Sequence, residues 1–413
     1  MSTATVPVNE EADQIVGRLL MDPPHDPYPL YARLREIAPI HKASMVPFWT
    51  MTRYDDIYKM VKEKRFIRDL EDTRRRAGQP TGADRPFPAS QQHWFVFSNP
   101  PEYQPKRALY NTAFNRSFVD TLRPLLVEMV DKRLDEAAEK GELEVVYELG
   151  FELTVDAICH VLGVPRENSD LLVNWAHMVE GAFEPLATED FKKKADQRTV
   201  EVESFLQDLV AKERQDPGDN LIGRLIAADT DGLISEEELI ANVPLVFSAG
   251  MDTTTHFIGN AIYSFMNNRD QWDLFLTDPD GLVKNAVEEL IRYDSSVQSS
   301  PPLRLASEDV EIGGVTIAEG DGIIPFFGAA HRDPLRYENP DKLDILRKDV
   351  NTLAFGGGLH ICLGQHLARA EAQIALVQIA QRFPNIELTG PEPTWALKGA
   401  NNRTLDAVRV KLG

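Results

Sequence analysis

The sequence predicts a mainly α-helical protein with a minor β part. Apolar residues recur at helical spacing through the middle of the chain, and stretches of alternating polarity are few and short. We expect a single domain over residues 1–413. Within it we expect a β-containing part within about 23–70, a helical part from about 105 to 295, and a glycine-rich loop at 355–364.

The first third of the chain holds short and irregular segments before the helices begin. Residues 48–52 read FWTMT and resemble a short strand, whereas residues 69–101 carry many turn residues and little periodicity, which predicts a long loop. From 105 to about 212 the apolar spacing is helical, as in the stripe that includes Leu122, Leu126 and Val130.

A long helix is predicted from Ser235 to about Asn267. Ser235 with Glu238 three residues later forms a capping box, and about 30 helical residues would extend roughly 45 Å, which is typical of a central helix. Polar residues 252–255 (DTTT) interrupt its apolar pattern directly after Ala249 and Gly250. Such a polar cluster within a buried helix requires a functional explanation.

The last third of the chain alternates helix, hairpin and coil. A helix is predicted over 282–293, a small hairpin sheet over 303–327 with its Gly-Gly pair within 309–317, and a final helix from Gln365 to about Phe383. Between the last two lie a coil punctuated by prolines and the loop FGGGLHICLG at 355–364.

Composition limits the classes of function. The chain has 44 Lys and Arg against 65 Asp and Glu, a formal net charge of −21, which disfavours binding to a phosphate backbone. We therefore expect no nucleic-acid partner. Two cysteines, no secretory signal and no run of about 18 apolar residues predict a cytoplasmic protein that does not enter a membrane.

Cys362 in the 355–364 loop admits several chemistries. A phosphate cradle fails, because neither glycine-loop pattern is matched. Zinc could bind to His360, Cys362 and His366, and a buried, inert cysteine is also possible. Ligation of haem iron fits best, because a cysteine just before a helix N-terminus has a lowered thiol pKa and the glycines allow a flat group to approach. Cys159 lies in an apolar helical stripe and is predicted to be a core residue.

These motifs together resemble the cytochrome P-450 superfamily of haem-thiolate monooxygenases, in its soluble bacterial form. The loop matches the pattern F-G-x-G-x-[HR]-x-C-x-G at every fixed position, and Glu289 with Arg292 matches the family's E-x-x-R helix. Residues 249–254 (AGMDTT) match the oxygen-activation motif of the central helix. The resemblance extends from about Pro23 to the C-terminus and implies the cytochrome P-450 fold, with a long central helix over a buried haem.

The resemblance assigns roles to particular residues. It implies that Cys362 is the proximal ligand of a haem b iron, and that Glu289, Arg292 and Arg347 form a structural ion-pair set. The other positions that it implies for cofactor binding are Arg107, Arg304, His360, Tyr103, Ala249, Phe355, Gly356 and Gly364. Tyr103 departs from the histidine that the family often has there, so it can donate a hydrogen bond but carries no charge.

The implied reaction uses O2 as co-substrate and inserts one oxygen atom into an apolar small molecule, by hydroxylation or epoxidation. Asp252 and Thr253 are the acid and the alcohol that would deliver protons. The implied substrate contacts are Trp94, Phe95, Phe183, Leu186, Val246, Ala249, Val297 and Leu303.

Electrons would come from an external ferredoxin or flavodoxin. Local positive charge for its docking is predicted at Lys106, Arg107, Arg116, Arg347 and Lys348. Three alternatives remain open: a zinc hydrolase using His360, Cys362 and His366, a haem-binding gas sensor without turnover, and a peroxide-driven variant. The presence of Asp252 and Thr253 argues against the last two.

Overall fold

The computed structural model describes residues 9–44, 46, 48–76, 84–182, 188–299, 303–398 and 402–413. Helices dominate and strands are short, which confirms the predicted class. In chain order the α-helices are α1 (Glu10–Met21), α2 (Tyr28–Ile37), α3 (Tyr54–Lys62), α4 (Leu70–Arg76), α5 (Pro86–Gln92), α6 (Tyr103–Tyr110), α7 (Arg116–Lys140), α8 (Glu152–Leu162), α9 (Ser169–Ala182), α10 (Glu189–Gln215), α11 (Leu221–Ala228), α12 (Glu236–Asn267), α13 (Arg269–Leu276), α14 (Pro279–Tyr293), α15 (Phe327–His331) and α16 (Gln365–Arg382).

The strands are two to four residues long. They are β1 (Ile40–Lys42), β2 (Phe48–Met51), β3 (Phe66–Ile67), β4 (Glu142–Glu144), β5 (Arg304–Ala306), β6 (Val310–Ile312), β7 (Val315–Ile317), β8 (Gly322–Pro325), β9 (Glu387–Leu388), β10 (Trp395–Lys398), β11 (Asn402–Leu405) and β12 (Arg409–Lys411). A π-helical segment, Val145–Phe151, leads into α8.

The chain divides into two compact units. The first contains residues 1–68, 259–362 and 383–410, and the second contains 69–258, 363–382 and 411–413. The division falls within α12, so that Glu236 to Ile258 belong to the second unit.

The first unit is built on a five-stranded sheet with the order β1-β2-β8-β5-β3. Strands β2 and β8 run parallel, with Phe48 opposite Gly322, and the other neighbours in this sheet are antiparallel. Buried residues of β2 and α3, including Trp49, Met51 and Ile57, form an apolar core with β6 to β8. The predicted hairpin is present as β6 and β7.

The second unit is mainly helical. Trp175 of α9 donates its indole N–H to the Thr199 hydroxyl of α10, 3.1 Å away, and Arg123 of α7 donates to the Gln373 side chain of α16 at 3.0 Å. The π-helical segment packs tightly on α12, because a Cβ built on Gly150 would lie only 2.9 Å from the carbonyl oxygen of Thr255. This close approach holds one face of α12 against the π-helical segment.

The long helix begins as predicted. The amide of Glu238 donates to the Ser235 hydroxyl at 3.1 Å, and the Ser235 amide donates to the Glu238 carboxylate at 3.0 Å, so both halves of the capping box form. The prediction of a long loop over 69–101 is wrong: α4 and α5 lie within it. Each has only seven residues, too few to show a helical period, and α5 begins at a proline that suits the first turn.

Candidate functional site

Cys362 ends a tight loop in the first unit and its side chain is exposed. The Cys362 amide donates to the carbonyl of Phe355 at 2.8 Å, and the Gly356 amide donates to the carbonyl of Leu353, also at 2.8 Å. A single 3₁₀ turn at 358–360 lies between these contacts, and α16 begins at Gln365. The backbone therefore presents the thiol at the surface of the loop, three residues before a helix.

The glycines of this loop are required by two different constraints. Gly358 has a left-handed φ of +63°, and a Cβ on it would lie 2.3 Å from the carbonyl oxygen of Val61 in α3. A Cβ on Gly357 would lie 2.7 Å from the Val61 side chain. By contrast, a Cβ on Gly356 would meet nothing closer than 3.9 Å, and one on Gly364 would meet nothing within 4 Å. The loop is thus pressed against α3 on one side, while Gly356 and Gly364 leave open space.

The first unit, which contains Cys362, also contains Arg304 and His360, two predicted partners of the haem carboxylates. Arg304 on β5 is only 5% exposed, and its guanidinium lies 3.5 Å from the carbonyl oxygen of Phe66. His360 is half-buried in the 3₁₀ turn. A guanidinium is a strong hydrogen-bond donor to carboxylate groups, and an imidazole can also donate to one. Together with the thiol and the open glycine surface, this donor set fits haem, an iron porphyrin with two carboxylates.

Glu289, Arg292 and Arg347 form a buried ion-pair set. Both carboxylate oxygens of Glu289 accept from Arg292 at 2.7 Å and from Arg347 Nε at 3.1 Å. Arg292 donates further to the carbonyls of His331, Pro340 and Lys342. These contacts tie α14 to the coil that precedes the thiol loop.

In the second unit, α12 carries the predicted acid and alcohol. Asp252 is 7% exposed, and Thr253 is half-buried with its hydroxyl donating to the carbonyl of Ala249 at 3.0 Å. Ala249 is exposed, and a Cβ on Gly250 would lie 3.0 Å from Ile158 of α8. The helix thus brings Asp252 and Thr253 side by side next to an accessible small residue.

The sequence analysis did not identify His256, a neighbour of Asp252 that lies outside the motif. His256, one turn further along α12, places its Nε2 atom 3.3 Å from Asp252 Oδ1, and both side chains are buried. Its spacing of four residues from an acidic residue was the available signal in the sequence.

Tyr103 and Arg107 lie together on α6 in the second unit. Arg107 donates to the Tyr103 hydroxyl at 3.3 Å and to the Asn111 side chain at 3.1 Å. Tyr103 is almost fully buried, and Phe95 stacks on it and on Tyr110. The tyrosine therefore orients the Arg107 guanidinium, a role that a phenol can perform without charge.

The predicted substrate contacts lie in different parts of the chain. In the second unit, Trp94 and Phe95 are buried and Val246 is 8% exposed, while the Phe95 amide donates to Asn242 of α12 at 2.9 Å. In the first unit, Leu303 is buried and Val297 is half-buried. Phe183 and Leu186 lie outside the described residues.

Two of the predicted docking charges are engaged within the protein. Lys106 forms an ion pair with Glu238, and the Arg347 side chain, 10% exposed, belongs to the Glu289 set. Arg116 is 77% exposed, with Asp120 at 3.8 Å, and Lys348 is exposed. Arg347 is therefore better placed to hold the coil than to bind another protein.

The second cysteine behaves as predicted. Cys159 is 2% exposed in α8, and burial raises the pKa of its thiol to about 12.

Among the residues that the structure describes, no three His, Cys, Asp or Glu side chains are grouped as a metal ion requires, which is against the zinc alternative. Across the same residues, no helix combines the length and the apolar character needed to cross a bilayer.

Comparisons with known proteins agree with these features. Residues 281–397 match the family model described as Cytochrome P450. The chain is 34% identical to Cytochrome P450 107B1 of Saccharopolyspora erythraea, over 87% of this chain and 88% of the relative. It is 32% identical to the Biotin biosynthesis cytochrome P450 of Bacillus subtilis, over 88% and 90% of the two chains.

A solved structure has the same fold. The crystal structure of P450BioI in complex with acyl carrier protein ligated to hexadec-9Z-enoic acid superposes with a TM-score of 0.86 at 30% identity, covering 94% of this chain and 99% of that chain. The predicted cytochrome P-450 fold is therefore confirmed. The chain belongs to the cytochrome P450 family of haem-thiolate monooxygenases, enzymes that use O2, a small-molecule substrate and a redox partner.

Proposed function

We propose that this chain binds haem b through Cys362 and inserts one oxygen atom from O2 into an apolar small molecule, by hydroxylation or epoxidation. The observation that carries the proposal is the exposed Cys362 thiol, which ends a glycine loop three residues before α16. A helix N-terminus that follows a thiol favours the anionic sulfur, and Gly364 has no side chain that would keep a flat group away from the loop.

Five side chains are assigned to holding the haem. Cys362 would ligate the iron, and Arg107, Arg304 and His360 would bind the two carboxylates, with the Tyr103 hydroxyl orienting Arg107. Gly356 and Gly364 would allow the ring to approach the loop without a side chain between them, beside Phe355. When bound, the haem supplies the activation of O2, and a thiolate ligand favours O–O cleavage.

Asp252 and Thr253 would deliver protons. The Asp252 carboxyl is buried, where a proton can be held and passed on at its Oδ atoms. The Thr253 hydroxyl donates to Ala249, which leaves its oxygen oriented to accept a hydrogen bond from water or from a carboxylic acid. Ala249, which has no side chain beyond Cβ, would leave room at this point of α12 for O2.

An apolar substrate is supported by the side chains assigned to the pocket. Trp94, Phe95, Val246, Val297 and Leu303 are all apolar, and such walls with few polar groups are typical of sites for hydrophobic small molecules. Two further members of the predicted set, Phe183 and Leu186, belong to the same proposal. Because the similar P450BioI was solved in complex with acyl carrier protein ligated to hexadec-9Z-enoic acid, this acid is a reasonable first probe.

The redox partner would be a ferredoxin or flavodoxin. The exposed cations Arg116 and Lys348 support a small acidic partner, since the rest of the protein is strongly acidic and such a partner needs local positive charge.

The absorption spectrum of the reduced protein with carbon monoxide tests the proposal. We expect the band of a thiolate-ligated haem in the wild type and its loss in Cys362→Ala, while Cys159→Ala serves as the matched control and keeps the band. A wild-type protein that takes up no haem during expression would contradict the proposal. Titration with hexadec-9Z-enoic acid, followed by the spin-state shift of the haem, then tests the substrate class.

A further inference from the structure

His256 on α12 has a local environment that a purely structural histidine does not need. Its side chain is 4% exposed, and its Nδ1 atom is buried without a hydrogen-bond partner among the residues that the structure describes. A buried polar atom that lacks a partner costs free energy. In native proteins such atoms are few, and each of them needs an explanation.

The other nitrogen of the ring has a charged neighbour. His256 Nε2 lies 3.3 Å from Asp252 Oδ1, within ion-pair distance, and the Asp252 side chain is 8% exposed. Residues four apart on a helix share a face, and a helical side chain leans toward the N-terminus, so His256 covers the turn that carries Asp252. The imidazole is therefore directed at the acid of the proposed proton-delivery pair.

We propose that His256 is a positioning residue for Asp252, an inference that rests on the proposed function. Its Nε2 atom lies within ion-pair distance of Oδ1 and restrains the orientation of the carboxyl group. When Asp252 passes on a proton, its carboxylate is left with a negative charge, and the adjacent imidazole stabilises that charge in a buried setting. His256 touches no reacting atom in this scheme and acts only through Asp252.

The neighbouring hydroxyl groups provide a matched control. Thr255, adjacent to His256 on α12, donates to the carbonyl of Met251 at 2.8 Å, and its oxygen lies 2.8 Å from the Thr154 hydroxyl. Thr255→Val disturbs the same turn of the helix without removing the imidazole. His256→Phe removes the N–H while keeping a ring, and His256→Gln restores a donor near the position of Nε2.

The first readout is spectroscopic. Full-length protein labelled with ¹⁵N-histidine is reduced and bound to carbon monoxide, and the signal of His256 is assigned by its absence in His256→Gln. We expect Asp252→Asn to shift this signal and Thr255→Val to leave it in place. An unmoved signal in Asp252→Asn would overturn the inference.

The second readout is the fate of electrons during turnover, with hexadec-9Z-enoic acid as the probe and a ferredoxin system driven by NADPH. We expect His256→Phe to lower product per NADPH about tenfold and to raise peroxide, while His256→Gln recovers most of the loss. Equal coupling in wild type and His256→Phe would contradict a positioning role.

The absorption spectrum of the labelled sample with carbon monoxide shows which of the two proposals has failed. A missing thiolate-type band contradicts the proposed function. A normal band together with an unmoved His256 signal contradicts the inference about His256 alone.

Discussion

Arg347 Nε lies 3.1 Å from both carboxylate oxygens of Glu289, a residue 58 positions earlier in the chain. Glu289 is fully buried, and its Oε1 atom also accepts a hydrogen bond from the backbone N–H of Asp344 at 3.0 Å. One carboxylate thus satisfies Arg292, Arg347 and the backbone of the coil that leads to Cys362. These hydrogen bonds hold the coil around Asp344 and Arg347 against α14, a helix distant from it in sequence.

Arg347→Ala should strongly destabilise the fold. Glu289 keeps its pairing with Arg292 in this variant, but it loses the hydrogen bonds from Arg347, as do the carbonyls of Glu338 and Lys342. Loss of a hydrogen bond to a charged group typically costs about 1.5–3 kcal/mol. Arg33→Ala is the control, since its ion pair with Glu11 is about half exposed and should contribute less than about 1 kcal/mol. Urea unfolding monitored by circular dichroism measures both, and equal stabilities of the two variants would contradict a supporting role for Arg347.

The two cysteines should differ in reactivity toward iodoacetamide. Cys362 is exposed, whereas Cys159 is buried with a thiol pKa raised to about 12, so that almost no thiolate forms at neutral pH. We expect haem-free protein to be modified at Cys362 only, and haem-loaded protein to be protected there. Mass spectrometry of the peptides gives the answer, and labelling of Cys362 at the same rate in both forms would contradict its assignment as the ligand.

Thr253→Ala should leave haem binding intact and divert electrons to peroxide. The hydroxyl is proposed to orient a proton donor, and a lost general-acid contribution is typically worth about 10²-fold or more in rate. Thr154→Val is a suitable control, because the Thr154 hydroxyl donates to the carbonyl of Phe151 at 3.1 Å and lies 2.8 Å from the Thr255 hydroxyl. Peroxide and product are measured per NADPH consumed, and full coupling in Thr253→Ala would refute its role.

Because His331 is buried, the free energy of unfolding should fall as the pH is lowered from neutral into mild acid. Burial, with Arg292 and Arg332 nearby, lowers its pKa from 6.5 to about 3, so the folded state resists a proton that the unfolded chain accepts. Its contribution is intact above pH 6.5 and is lost as the pH falls toward 3, with a slope of up to about 1.4 kcal/mol per pH unit.

The pH dependence of urea unfolding for His331→Gln tests this expectation. Glutamine can accept the hydrogen bond that the Leu353 amide gives to His331 Nε2 at 2.8 Å, but it does not titrate. We expect a shallower fall in stability between pH 6.5 and 4 than in the wild type, and His160→Gln, at an exposed position, should keep the wild-type slope. Identical slopes in wild type and His331→Gln would show that another group controls the acid response.

Local patterns predicted the helices best. The capping box at Ser235 and the three-residue spacing of Glu289 and Arg292 depend on neighbours in sequence, and both are present in the structure. The seven-residue helices α4 and α5 were missed because they are shorter than two full periods of an amphipathic pattern. The parallel pairing of β2 with β8 joins residues more than 270 positions apart, and nothing within either strand encodes its partner.

Candidate site residues could be identified from the sequence where a motif is short and contiguous. The loop around Cys362 and the cluster at Asp252 and Thr253 were readable as sequence, because their chemistry requires particular residue types at fixed spacing. Contacts that depend on tertiary packing could not be predicted from the sequence. Asn242, which accepts from the Phe95 amide and donates to the His93 carbonyl, is an ordinary polar residue in the sequence, and only the fold reveals that it anchors this segment.

The close approach of Gly358 to Val61 has a consequence for protein engineering. Residues 355–364 form a cassette that designers would wish to exchange between homologues to tune the properties of the bound cofactor. Because the loop rests directly on the backbone of α3, its shape is matched to that helix rather than self-contained. A chimera should therefore transplant α3 together with the loop, as a single module.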